Sequence, residues 1–255
     1  MKAFPIACQT ITWGPEQKAR FPEVFAEVAA AGFTGVEIGF RHIRETRPAD
    51  LKEMLDQHKL ELAASHVGGN LFDPAQADAE RAILDEALDY LQAMGTKLLM
   101  YSGLRFKDDA QLAQDLGMLN RAAEKCRAQG VSLLYHNHNW EFADDGKVIR
   151  ALIKDGEFGF CPDVGWVMKG RWEITDFLDS ICGRIGAIHF KDFATSGPGC
   201  DTVPLGEGVA PLREAADWIR RNTSGLWVIA EQDNADIPPA EAAAINAGFL
   251  KRVAA

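Results

Sequence analysis

Several absences narrow the reading first. The chain has no run of about 18 apolar residues, so nothing in it reads as a membrane span. Its start, MKAFPIACQT, carries no long apolar stretch behind the lysine and does not read as a secretory signal. Basic charge is scarce: 27 Lys and Arg face 37 Asp and Glu, a net charge of −10, with no basic run. That balance disfavours nucleic acid and anionic membranes as partners. The five cysteines (Cys8, Cys126, Cys161, Cys182 and Cys200) are odd in number and widely spaced, and no CxxC occurs. Reduced thiols in a cytoplasmic protein fit this pattern better than a disulfide framework. No GxGxxG or P-loop follows any apolar run, which weakens a nucleotide-binding reading. Linkers rich in Pro, Gly or Ser are also missing, so the 255 residues, 47% of them hydrophobic, are expected to form one domain over 1–255.

What the chain does have is an eightfold alternation. Short apolar runs recur at 4–10, 35–40, 61–67, 97–103, 132–138, 158–165, 185–192 and 226–233. Several are rich in Val, Ile or Leu, as strands buried on both faces should be. Helical patterns lie between them. In 110–129 an apolar stripe runs through Leu112, Leu116, Leu119, Ala123 and Cys126; 21–31 and 239–253 behave alike. Gly32, Gly95 and Gly130 follow such segments, where a left-handed C-cap would end a helix. Eight strands alternating with eight helices predict an α/β fold, a single (β/α)8 TIM barrel; an open doubly wound sheet is the rival.

In such barrels the chemistry sits at the C-terminal ends of the strands. Ionisable residues gather there: Glu37 on strand 2, His66 on strand 3, His136 and His138 on strand 5, Asp163 on strand 6, His189 and Lys191 on strand 7, Glu231 and Asp233 on strand 8. Strand 5 is the richest, as LLYHNHNWEF over 133–142. Carboxylates and imidazoles converging on one mouth are hard to desolvate unless something neutralises them, and a divalent cation does so. Oxygen and nitrogen donors without clustered thiolates suit Mn²⁺, Co²⁺, Zn²⁺ or Mg²⁺. Taken singly, His66 reads equally as a packing histidine, Glu37 as a partner of neighbouring loops, and Lys191 as a partner of Asp192 or of a helix end. Trp13, Trp140 and Trp166 are either walls of a sugar pocket or ordinary packing, and Cys161 reads as structural. Asp163, His189 and Glu231 stand apart, since each ends a consecutive strand.

These residues resemble a known family. CPDVGW on strand 6, IHFKD on strand 7, PLGEG after it and WVIAEQD on strand 8 look like the xylose-isomerase-like TIM barrels, across essentially the whole chain. GFTGVEIG, AMGTKLLMYSG and the AEQD ending are most similar to inosose dehydratase. The resemblance implies one divalent metal ion, often Mn²⁺, held by residues of strands 5 to 8. Asp163, His189 and Glu231 match three of those ligands. The fourth is either His136 or Glu141, because strand 5 departs from the commoner glutamate pattern. His138 matches a position that carries a catalytic histidine in some dehydratases of the superfamily.

The chemistry expected is proton abstraction beside a metal-bound carbonyl of a keto sugar or keto cyclitol, through an enediolate. Glu231 and a strand-5 group, His138 or Glu141, are the acid/base candidates; His66 and Lys191 would protonate a leaving group or orient hydroxyls. Trp13, Glu37, His66, Trp140, Trp166 and Lys191 are the expected substrate contacts. Reprotonation makes the enzyme an isomerase or epimerase, and loss of a β-hydroxyl makes it a dehydratase. A lyase subunit acting on 3-keto-glycosides with a partner chain, a non-catalytic sugar-binding barrel and a homo-oligomer are further readings. A nuclease would need a basic groove that the chain lacks. The LGEG turn could offer backbone N–H groups to a phosphate, but Glu207 sets a negative charge there, so an unphosphorylated substrate is expected.

Overall fold

A computed structural model of the chain describes residues 4–68, 77–103 and 108–253. Eight parallel strands form the barrel: β1 (Ile6–Gln9), β2 (Gly35–Gly39), β3 (Glu61–Gly68), β4 (Leu98–Ser102), β5 (Ser132–His136), β6 (Gly159–Cys161), β7 (Ala187–Phe190) and β8 (Trp227–Ala230). Neighbours pair in sequence from β1 to β6, while β8 lies between β1 and β7. Two isolated parallel bridges, Phe160 with Ile185 and Asp163 with His189, join β6 to β7 and close the ring. The expected (β/α)8 barrel is the architecture observed, and the open sheet is not.

Each strand buries both faces, which is why the sequence runs read as continuous apolar segments. The outer face packs under helices through a large shell that includes Val36, Ile38, Leu99, Leu133, Ile188 and Val228. A separate small cluster of Ala7, Ala63, Ala64, Met100, Leu134, Cys161, Ala187 and Ile229 fills the barrel interior. Four of the eight are alanines, and Leu134 occupies the remaining centre. A Cβ on Gly159 or Gly186 would stand 2.6 or 2.8 Å from the Leu134 side chain, so both glycines make room for it. At the short β6, Arg184 donates to the carbonyls of Ile153, Gly156 and Phe158 and lies over the Phe160 ring, supplying bonds that the ladder does not.

The anticipated helices at 21–31, 110–129 and 239–253 form as Phe21–Ala31, Asp109–Ala128 and Pro239–Val253. Gly32 caps the first in the left-handed region at φ 93°. Three details depart from the sequence reading. The run 158–165 is strand only to Cys161, because Asp163 caps a short helix, Val164–Lys169, through its own Oδ1 and Trp166 N–H. Two helices, Val164–Lys169 and Ile174–Ser180, fill one crossover. A small antiparallel hairpin of Asp192–Phe193 with Thr202–Val203 follows β7. Among the described residues no helix is long and apolar enough to cross a membrane.

Candidate active site

The C-terminal ends of β5 to β8 bring four side chains together. His136 ends β5; Asp163 and Glu231 follow β6 and β8; His189 lies within β7. The bridge between Asp163 and His189 fixes two of them side by side. One ligand atom from each of the four lies within 4.8 Å of the others, and all four residues are buried. His136 Nε2 stands 3.9 Å from Asp163 Oδ2 and 3.8 Å from Glu231 Oε2. His189 Nδ1 stands 2.6 Å from Glu231 Oε2.

A divalent cation fits this donor set. Asp163 Oδ2 is buried without a hydrogen bond, although it faces His136. Burial, outweighing the neighbouring Glu231 carboxylate, keeps His136 well below the ordinary imidazole range, so it is a neutral nitrogen donor. Burial pushes the Asp163 carboxyl up to about 7, a cost that a cation would remove. On Glu231 burial acts the other way from its neighbours, and Lys191, with His189, holds it ionised, well below the carboxylate range. Cys161 lies within reach of His136 and His189. Burial raises its thiol to about 11, so it is a neutral packing group beneath the oxygen and nitrogen donors.

Lys191 does not pair with Asp192. Its ammonium is buried 3.0 Å from Asp233, 3.3 Å from Glu231 and 3.7 Å from Asp163, and it lies over the Trp166 ring. Burial opposes that charge, but the three carboxylates outweigh it and hold Lys191 above the usual lysine range. It is a fixed cation. Asp192 instead accepts the backbone N–H groups of Gly206, Gly208 and Ala210. Leu205 donates its N–H to Asn246 and Glu207 to the Pro204 carbonyl, so the N–H groups of the LGEG turn are satisfied internally.

A cavity of about 460 Å³ opens above the cluster, a size suited to a small ligand. His66, His136, His138, Lys191 and Glu231 all line it. His66 Nε2 meets Ser102 Oγ at 2.8 Å. His138 stacks on Trp140, with ring centroids 4.1 Å apart and planes 10° apart. The other expected contacts sit behind the wall. Glu141 is buried, accepts the Tyr135 hydroxyl and the His138 backbone N–H, and lies outside the four-residue cluster. Trp13 donates its indole N–H to Glu27. Trp166 packs between Lys191 and Phe193. Glu37 is 0% exposed. Of these, Trp13, Glu37, Trp140, Glu141 and Trp166 are not among the lining residues.

Gln9, Arg41, Ser102 and Asp233 line the cavity as well. Gln9 and Ser102 are the last residues of β1 and β4, so the strand-end rule that marks His136 also marks them; being uncharged, they carry no second signal. Arg41 lies beyond β2 and has no signal of its own in the sequence.

The model of the xylose isomerase-like TIM barrel family matches residues 25–253. An inosose dehydratase of Lacticaseibacillus casei is 26% identical, over 88% of this chain and 87% of that protein. Among solved structures, a sugar phosphate isomerase/epimerase from Parabacteroides distasonis superposes with a TM-score of 0.80 at 20% identity, covering 98% of this chain and 94% of that one. A D-allulose 3-epimerase from Methylomonas sp. gives 0.81 at 16% identity, with 99% of both chains covered. With the barrel, the strand-end cluster and a family match spanning most of its length, this chain belongs to the xylose isomerase-like TIM barrel family.

Proposed function

We propose that the protein is a divalent-metal-dependent enzyme that removes the proton beside the carbonyl of an unphosphorylated keto sugar or keto cyclitol, and returns it as an isomerase or epimerase. The observation that carries this is the cluster of His136, Asp163, His189 and Glu231, two of which, His136 and Glu231, line the cavity. Those four residues would hold the cation; their oxygen and nitrogen donors suit Mn²⁺, Co²⁺, Zn²⁺ or Mg²⁺, and the family resemblance favours Mn²⁺. When bound, it supplies Lewis-acid polarisation of the carbonyl and a template for an adjacent hydroxyl.

The chain's own residues supply the rest. Lys191 keeps its charge and presents N–H donors where negative charge develops on oxygen, so it acts as an electrostatic group and not as a proton donor. Glu231, at the cavity floor, is an ionised carboxylate that can take a proton. His138 and His66 stand on the β5 and β3 sides and are the groups placed to carry one across the cavity. Trp140 fixes the His138 ring from below, and Glu141 fixes its backbone. An Asp192-filled LGEG turn supports a substrate without phosphate.

A second reading is dehydration, in which the same carbanion expels a β-hydroxyl. The inosose dehydratase likeness favours it, and His66, hydrogen-bonded to Ser102, is then the acid for the leaving group. One experiment separates the outcomes. The protein is incubated in D₂O with ketoses, inososes and 3-keto-glycosides, with Mn²⁺ or with EDTA, and followed by proton NMR. Mn²⁺-dependent loss of the C–H signal beside the carbonyl supports the proposal, and the product spectrum distinguishes isomer, epimer and enone. No exchange in protein that has bound Mn²⁺ would refute it.

A further inference from the structure

Glu37 lies within β2, fully buried and off the cavity wall. Its Oε2 meets His189 Nε2 at 2.8 Å. Its Oε1 has no hydrogen bond and stands 3.6 Å from His66 Nδ1. The other nitrogen of His189, Nδ1, points into the four-residue cluster at Glu231. One carboxylate therefore stands between a cluster imidazole and a cavity imidazole. A shift in the β2–β3 register at this point, where Val36 pairs with Leu62 but Glu37 pairs with Ala64, sets the two strands so that Glu37 and His66 approach.

We infer that Glu37 is a positioning residue: it keeps the His189 proton on Nε2, which leaves Nδ1 to face the cation, and its second oxygen steadies His66. The inference rests on the metal reading above. A carboxylate oxygen 2.8 Å from a ring nitrogen accepts its N–H, so this contact sets the His189 donor on Nε2. A neutral imidazole has one N–H, and the partner of one nitrogen decides which nitrogen remains free. Outer carboxylates of this kind orient a ligating imidazole and raise its basicity. Water does not reach Glu37 to compete for the bond. A substrate contact, the role its strand suggested, is not open to it.

The test compares Glu37→Met and Glu37→Gln, which keep the side-chain length. Met has no strong acceptor; Gln keeps the acceptor without its charge. In calorimetric Mn²⁺ titrations, Glu37→Met should weaken binding about 100-fold and Glu37→Gln about tenfold, the two ends of the range for such partners. With Zn²⁺ as a diamagnetic probe, ¹⁵N NMR of the parent should show His189 protonated at Nε2 alone, and Glu37→Met should lose that single form. A merely structural role would lower the thermal midpoint while leaving Mn²⁺ affinity and the ring signals unchanged, and would overturn the inference. If Glu37→Met does not fold, Glu37→Gln decides by the same two readouts. His136→Ala separates the two levels. If it binds Mn²⁺ as the parent does, the metal reading fails; if it loses binding while the Glu37 variants keep it, only the role of Glu37 fails.

Discussion

Replacing Gly165 by alanine tests how the site is held together. Gly165 opens the short helix that Asp163 caps, where it presses against the end of β7. A Cβ there would lie 2.5 Å from the Lys191 carbonyl oxygen and 2.9 Å from the Phe193 ring. Ordinary contact begins near 3.4 Å, so the two backbones would have to part by about 1 Å. Both obstructions are fully buried, and the nearest one is backbone, so neither can swing aside. Overpacking of this kind costs about 1–3 kcal/mol, and for a chain of this size each kcal/mol lowers the melting midpoint by about 2–4 °C. The same displacement pulls Asp163 from His189, so Mn²⁺ affinity should fall together with stability. Gly117→Ala is the counterpart. Gly117 lies inside the helix Asp109–Ala128, and its Cβ would meet only the end of Arg121, at 3.5 Å. There the same substitution should stabilise by about 0.5–1 kcal/mol through helix propensity. Urea melts and Mn²⁺ titrations of both variants give the answer. If Gly165→Ala melts and binds Mn²⁺ like the parent, the close approach of helix and strand is not what seats Asp163.

Lys191→Met strips the cation from among Asp163, Glu231 and Asp233. In EDTA it should lose about 3–5 kcal/mol of stability, the cost of breaking a buried ion cluster, and Mn²⁺ should restore more stability to the variant than it adds to the parent; equal Mn²⁺ effects in a thermal melt would count against the countercharge role. Cys182 and Cys200 are exposed while Cys8, Cys126 and Cys161 are buried, and burial raises the Cys8 and Cys126 thiols to about 12. Brief iodoacetamide treatment read by mass spectrometry should therefore label the first two in the folded protein and all five only after unfolding.

The barrel was legible because both faces of every strand are buried, which writes each strand as an unbroken apolar run between amphipathic helices. Asp163, His189 and Glu231 were legible because a single rule, the polar residue at a strand end, applies to each. The same rule gave no orientation around the barrel. It could not tell that Glu37 points at His189 and not at a substrate, because that depends on the β2–β3 register. Nor could it choose between His136 and Glu141. The choice needs the turn after β5, where Tyr135 and the His138 backbone draw Glu141 into the shell. The indoles of Trp13 and Trp166 carry no sign in sequence of whether they face a sugar or a neighbouring helix. The hairpin after β7 has only two residues per strand, too short for any periodicity to mark.

The spacing within each strand explains why the site and the core are inseparable. The interior apolar cluster includes Ala7, Ala64, Met100, Leu134, Cys161, Ala187 and Ile229. Two residues further along each chain segment stand Gln9, His66, Ser102, His136, Asp163, His189 and Glu231, and on β2 the step from Gly35 leads to Glu37. A step of two keeps a side chain on the same face of a strand, so the polar group is the next tier of the barrel's own packing. Its floor is a dry layer of alanines and aliphatic side chains, which removes water from one side of every ionisable group. That desolvation raises Asp163 and neutralises His136, while Lys191 and the paired imidazole of His189 offset it for Glu231. The proton affinities of this site are therefore set by the layer beneath as much as by the charges within it. The layer contributes by being small and apolar, and no sequence motif records that contribution.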